Sequence, residues 1–304
     1  MRNLLASMLL PAALLAQADL ATVTGVVTDS AGAVMPGVAV TVRNVETGAV
    51  RSMKTTPSGE YVVASLPPGS YELAVEAGGF RRYHRTGIVL EVGQVLRDNI
   101  AMQIGALAES VEVTAEAAPI NTERGATKGE VIVQREIQEL PLLDRDFMDL
   151  AFLVPGVIEK AEGGNGSSIT ANGARADNTN MYVDGFSNRD SRRGIANSRP
   201  NIDAVQEFKM ETSGYGAEYG RLSGGVVGMA LRSGTNRLRG ALFESLRNKV
   251  LDARGFFDPE RLGLKRNQFG ATFSGPVTLP KLYGGRNRTF FLASYEGYRP
   301  VIGE

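Results

Sequence analysis

Residues 163–236 read GGNGSSITANGARADNTNMYVDGFSNRDSRRGIANSRPNIDAVQEFKMETSGYGAEYGRLSGGVVGMALRSGTN. Gly, Asn, Ser and Arg dominate the stretch, yet strand-like apolar pieces at 181–183 and 226–231 interrupt it. Such a mixture fits neither a linker nor an ordinary core. It predicts a compact domain with many polar loops, lying in a polar enclosure. The chain before it reads as an address and an accessory domain, and the chain after it as the start of a wall.

The 304 residues leave room for two or three domains. Hydrophobic content of 43% with 22% charged residues fits a folded protein. The 36 glycines favour turns and strands over long helices. Lys plus Arg and Asp plus Glu balance at 33 each, so no overall field draws in nucleic acid. With no Cys and one His, thiol nucleophiles, disulfide scaffolds and multi-His metal sites are excluded, and no metal or cofactor is expected.

The N-terminus reads as an export signal over residues 1–18. Arg2 supplies the positive start, residues 4–15 the apolar run, and Ala16-Gln17-Ala18 the small-residue pattern for cleavage between Ala18 and Asp19. The run is too short for a membrane anchor, and nothing later approaches that length, so any membrane role must use β structure.

Residues 19–104 alternate short β-type runs with turn chemistry. Strands are predicted at 23–27, 38–42, 60–64, 71–75, 88–92 and 95–100, separated by turns at 29–32, 57–59 and 66–69. This spacing predicts an all-β sandwich. The segments GVVTDSAGAVMPGVAVTVRNVETG and TTPSGEYVVASLPPGSYELAVEAGGFRR resemble the carboxypeptidase-regulatory-like, transthyretin-like module. That family's name implies no peptidase here, because His84 is the only His and no HExxH pair exists. His84, near Arg81, Arg82 and Arg85, reads as a solvated strand end, and Tyr61, Tyr71 and Phe80 as core or turn packing rather than sugar-stacking residues.

The linker, residues 105–123, contains GALAESVEVTAEAA. Val111, Val113 and Ala115 alternate with Glu112 and Thr114. A short extended piece of this kind can add to another protein's sheet edge. On pattern alone it is equally a last strand of the preceding domain or a plain connector. Glu109, Ser110, Val111, Glu112, Val113, Thr114 and Ala115 resemble the box with which TonB-dependent outer-membrane receptors engage their energy-transducing partner.

Residues 124–236 predict a mixed α/β unit. A strand at 128–134 leads into a short helix ending at Leu140-Pro141. Asp144 is positioned to cap a helix carrying Phe147, Leu150, Ala151 and Val154. Strands follow at 180–184 and 226–231, with a short helix expected at 202–208. The segments LPLLDRDFMDLAFLVPGV, ANGARADNTNMYVDG, DAVQEFKMETSGYGAEYGRLSGGVVGMALRSGTN, NQFGATFSGPV and FFLASYEGYR are similar to the plug and early barrel of Oar-like TonB-dependent receptors. The resemblance implies a plug inside an outer-membrane β-barrel, whose polar lumen accounts for the polar loops. Arg175, Asp184, Arg189 and Arg221 are the expected polar contacts between plug and barrel, although an ordinary solvated face would look the same. No phosphate-binding glycine motif and no Gly-x-Ser-x-Gly is present, and no catalytic residue is expected.

Residues 237–304 predict three strands, at 239–247, 267–273 and 289–298. The middle one sets Asn267, Phe269, Ala271 and Phe273 against Gln268, Gly270 and Thr272. Strands with one polar and one apolar face fit a transmembrane barrel, although a soluble sandwich would give a similar pattern; the resemblance favours the barrel. Plugged transporters use about 22 strands, so the sequence predicts an N-terminal piece of a longer receptor. The fold expected is mainly β: a transthyretin-like sandwich, a mixed α/β plug and the first strands of a truncated transmembrane barrel. The partners implied are a TonB-type protein in the periplasm, outer-membrane lipid and an unidentified extracellular ligand. The competing reading is a secreted or surface β-sandwich module that binds carbohydrate or protein.

Overall fold

The computed structural model describes residues 20–105, 110–114, 128–140, 142, 145–160, 168–175, 178–190, 195–216, 219, 223–251, 253–254, 256–257 and 264–302. The expected export signal, with Ala18 and Asp19, lies outside them. Three bodies follow one another along the chain, two with an apolar core and one without.

The first is the sandwich. One sheet is built on β1 (Ala21–Thr28), which lies between β4 (Glu60–Leu66) and β7 (Val95–Arg97) and also pairs β8 (Ile100–Ala101). The other runs, in spatial order, β3 (Val50–Lys54), β2 (Ala39–Asn44), β5 (Gly69–Glu76), β6 (Arg82–Leu90) and β9 (Ser110–Thr114). Strict alternation buries Val23 and Val27 of β1, Val40 and Val42 of β2, and Leu73 and Val75 of β5 between the sheets. Turn chemistry sets the register. The Asp29 carboxylate accepts from the N–H groups of Ala31 and Ala33, both at 2.8 Å, and Asn44 does the same for Glu46 and Thr47 ahead of Gly48 at φ 71°. Tyr61 and Tyr71 are core residues, as expected, and each hydroxyl donates to a backbone carbonyl, of Asp98 at 2.7 Å and of Pro67 at 2.6 Å.

Three details of this body differ from the expectation. β3 was not anticipated: every residue of Val-Arg-Ser-Met-Lys is exposed, so it shows no alternation to read. β6 begins six residues earlier than the strand expected at 88–92, so His84 sits mid-strand and half-buried, 3.7 Å from Glu72, rather than at a strand end. The strand expected at 95–100 breaks at Asp98, which is buried against Arg85 at 2.7 Å, and at Asn99, which accepts from the Val26 N–H.

The second body is the mixed α/β unit. Its sheet runs β10 (Lys128–Val133), β15 (Val205–Ser213), β16 (Val226–Leu231), β13 (Asn180–Val183) and β14 (Phe186–Ser187), antiparallel except between β13 and β16. A separate hairpin pairs β11 (Val157–Lys160) with β12 (Ser168–Ala171). Helix α1 (Gln134–Glu139) and the single turn α2 (Met148–Ala151) pack Ile137, Phe147, Met148 and Leu150 onto Phe208, Met210, Val227 and Met229. Asp146 accepts from the Met148 N–H at 3.0 Å; Asp144, the cap expected from the sequence, lies outside the described residues.

The helix expected at 202–208 is corrected. Only Ile202–Ala204 turn, as a 3-10 helix capped by the Asn201 side chain, and the chain then enters β15. Glu207, Lys209 and Glu211 disguise this strand, because they put charge at alternate positions of a buried element.

The third body is an antiparallel meander of β17 (Arg239–Asn248), β18 (Leu264–Pro276) and β21 (Phe290–Ile302). A small hairpin of β19 (Thr278–Leu279) and β20 (Tyr283–Gly284) connects the last two. The three strands were expected, and all run longer than the sequence indicated. The faces of β18 divide as read: Arg266, Gln268, Thr272 and Ser274 are buried toward the molecule, whereas Phe273 is exposed. On β17 the exposed face carries Leu242 and Leu246 with Glu244 between them, Leu242 being 87% exposed. Large apolar side chains exposed over a buried row of polar ones on β18 depart from the pattern of a water-soluble sheet. No described helix is long and apolar enough to cross a membrane.

Candidate functional site

Two features carry the functional expectations: the short strand after the sandwich, and the contacts by which the middle body meets its neighbours.

The strand comes first. Ser110–Thr114 forms β9 and lies parallel to β6, with Arg82 opposite Ser110, Tyr83 opposite Val111, His84 opposite Glu112, Arg85 opposite Val113 and Thr86 opposite Thr114. The extended conformation was legible in the Val-Glu-Val alternation; the pairing was not. Of the sequence alternatives, the last strand of the preceding sheet is the one observed. Glu109 and Ala115, also expected in this segment, lie outside the described residues. The chain is pinned just upstream, where Arg81 N–H donates to Gln103 O at 2.7 Å and Gly105 N–H to Gly79 O at 3.2 Å. β6 is itself anchored beneath by the Arg85–Asp98 ion pair. Burial raises the Asp98 carboxyl above its ordinary range, and the Arg85 charge opposes that shift.

The expected polar residues of the middle body separate. Asp184, at φ 48°, turns β13 into β14, and its carboxylate accepts from the Leu231 N–H at 2.8 Å. Burial raises its pKa, opposed by that hydrogen bond. It closes the body's own sheet. Arg175 is exposed, and its carbonyl accepts from the Asn178 N–H. Arg189 lies in a bridge with Ala196, and Arg221 is outside the described residues.

A different arginine makes the contact with the strand meander. Arg145 donates to Asp203 at 2.6 Å, and its guanidinium lies 3.9 Å from the centre of the Phe243 ring on β17. Both groups are largely shielded from water, so charge pairing and ring stacking act together. Sequence reasoning missed this residue, because its partners are 58 and 98 positions away. Close backbone approach supports the same junction: a side chain at Gly234 would meet the carbonyls of Gly275 and Phe291, each 2.6 Å from its first carbon. Asn236 and Asn287 join reciprocally at 2.6 and 2.8 Å.

The sandwich meets the middle body at Glu207. The Val92 N–H donates to its carboxylate at 2.7 Å, and Gln206 donates to Pro68 O at 3.1 Å. Burial pushes the Glu207 pKa up to about 7, the Val92 hydrogen bond and Lys209 opposing and Glu91 adding to the shift. A further pair, Arg239 to Glu46 at 2.9 Å, ties β17 to the sandwich. Among the described residues no cluster of His, Asp and Glu has the makings of a metal site.

Comparison with known proteins matches this order of bodies. Residues 22–103 match the carboxypeptidase regulatory-like domain, residues 121–227 the TonB-dependent receptor plug domain and residues 230–304 the outer membrane beta barrel domain. The TonB-dependent transporter Oar of Myxococcus xanthus is 30% identical over 250 residues, which are 77% of this chain and 23% of that protein. The chain thus spans less than a quarter of that relative's length. Among solved structures, the siderophore receptor PirA from Acinetobacter baumannii shares 24% identity at a TM-score of 0.39, over 49% of this chain and 22% of its own. The outer membrane transporter YddB from Escherichia coli shares 14% at a TM-score of 0.38, over 50% of this chain and 24% of its own. The chain is a homologue of the TonB-dependent transporter Oar, with a carboxypeptidase regulatory-like domain, a receptor plug domain and part of an outer-membrane barrel domain in that order.

Proposed function

We propose that this chain forms the periplasmic and plug-bearing part of an energised outer-membrane receptor. In this reading the barrel sits in the outer membrane, a ligand binds from outside, and a TonB-type protein in the periplasm engages residues 109–115. Pulling on that segment rearranges the plug and admits the ligand. The work comes from the partner, so the chain supplies binding and gating rather than chemistry.

The observation that supports this best is the inverted facing of β17 and β18 directly after the plug domain. Polar Arg266, Gln268, Thr272 and Ser274 are buried, while Leu242, Leu246 and Phe273 are exposed, with Glu244 the charged exception on the exposed face of β17. That arrangement suits a wall between a polar lumen and lipid. The Arg145–Phe243 contact is the kind of plug-to-wall attachment such a gate requires. Arg175, Arg189 and Arg221 remain proposed contacts to the parts of the wall that lie further along a complete barrel.

The test is deletion of residues 111–115 in the full-length receptor, with surface binding and energised uptake measured separately. The expected result is lost uptake with retained binding. Undiminished uptake would contradict the mechanism.

A further inference from the structure

We propose that the sandwich presents residues 110–114 as the outer strand of a shared sheet, so that the TonB-type partner adds its own strand to β9 while β9 stays on β6. This rests on the reading of that segment as the partner's docking site, and goes beyond it by assigning the carboxypeptidase regulatory-like domain a role in docking.

The two ends of the five-stranded sheet differ. One end, β3, is guarded: Arg51 and Lys54 lie in a strand whose every residue is exposed. Cations on an edge strand discourage a stranger from pairing with it. The other end, β9, reads Ser-Val-Glu-Val-Thr, with no Lys, Arg or Pro, and with β-branched residues at three of its five positions. One side of β9 pairs with β6, and among the described residues no strand pairs with the other. An edge of that composition is a template for main-chain hydrogen bonding.

The platform beneath it is firm. β6 pairs with β5 along its other side, and Arg85 of β6 is buried against Asp98. Only residues 106–109 separate β9 from the Gly105–Gly79 hydrogen bond. A tether this short keeps the strand at a high effective concentration beside β6. The partner therefore meets a strand that is already extended, and the ordering cost of docking falls. The occupant that fits is an extended segment with a Lys or Arg opposite Glu112, the single charge of β9.

The chain has no Cys, so a thiol pair can be introduced without interference. The double variant Thr86→Cys, Thr114→Cys places thiols at partner positions of the β6–β9 register. It would be joined by a short thiol-to-thiol cross-linker in the detergent-solubilised chain. Binding of the purified periplasmic domain of a TonB-type protein would then be measured before and after cross-linking. The expected result is efficient cross-linking and an affinity within about twofold of the unlinked form. Failure to cross-link, or a tenfold or greater loss of binding once linked, would overturn presentation and mean that β9 must leave the sandwich. If the unmodified chain does not bind the partner domain at all, the docking assignment falls, and this proposal with it.

Discussion

Arg145 has a left-handed backbone at φ 53°, a conformation that costs a non-glycine residue about 1 kcal/mol or more. What holds it there is a double engagement, with Asp203 on one side and the Phe243 ring on the other. Arg145→Ala removes both and leaves Asp203 without this cation. It is expected to lower stability by about 1–3 kcal/mol in urea unfolding. Arg145→Lys keeps the charge but not the flat guanidinium, and should recover only part of that loss. Glu207 makes a second prediction, set by pH. Its folded pKa is raised to about 7 from 4.5, so the folded state holds the proton more tightly than the unfolded chain. The resulting stabilisation is full below the unfolded value and is lost as pH rises through about 7. The wild-type chain should lose on the order of 3 kcal/mol between pH 4.5 and 8 from this group. Glu207→Gln should flatten that part of a thermal-unfolding profile against pH. An unchanged profile would mean that Glu207 ionises freely. Neither residue stood out in the sequence. Arg145 was one of many arginines, and Glu207 fell within the helix expected at 202–208, because its burial depends on a contact with Val92 of another domain.

Elements were legible where the two sides of a strand differ in exposure. β1, β2, β4 and β5 announce themselves by alternation, and β18 by its two chemically different faces. Elements were hidden where burial and polarity disagree. β15 buries charge and β3 exposes everything, so neither shows the pattern that reveals a strand. β9 was legible as a strand, while its seat on β6 depends on a parallel register that local sequence does not encode. Close approaches between elements were equally silent. A first side-chain carbon at Gly25 of β1 would lie 1.9 Å from the Asp98 carbonyl oxygen, a backbone atom with no freedom to retreat. Gly25→Ala should therefore separate β1 from the Asp98 segment and destabilise the sandwich by about 1–3 kcal/mol or more, measured by thermal unfolding. For the meander the informative change is Leu242→Arg on the exposed face. If that face meets lipid near the bilayer midplane, the substitution costs about 2–4 kcal/mol and should reduce assembly of the full-length receptor into the outer membrane. In water the same change would be neutral or would help solubility. Undiminished assembly would place Leu242 away from lipid.

At the scale of the molecule, the polar stretch 163–236 has a physical reason for its composition. Its apolar pieces are β13 and β16, buried in the plug sheet, and β15, the strand it concealed, runs antiparallel to β16. On the function proposed above, its loops are polar because they would face the polar lumen of a barrel. Among the described residues the bodies are joined by a few polar contacts: Glu207 to Val92 and Gln206 to Pro68, Arg239 and Asn236 to Glu46, Arg145 to Phe243, and Asn236 to Asn287. Junctions of this size allow one domain to shift against the next, as gating by a pulled segment requires. The most direct measurement is fractionation of cells that express the gene product from its own locus with an epitope tag, followed by separation of outer membrane from soluble fractions. The expected result is recovery in the outer membrane, extractable only with detergent. Recovery from the periplasm or the medium as a stable soluble monomer would contradict it and favour a sandwich-based binding module.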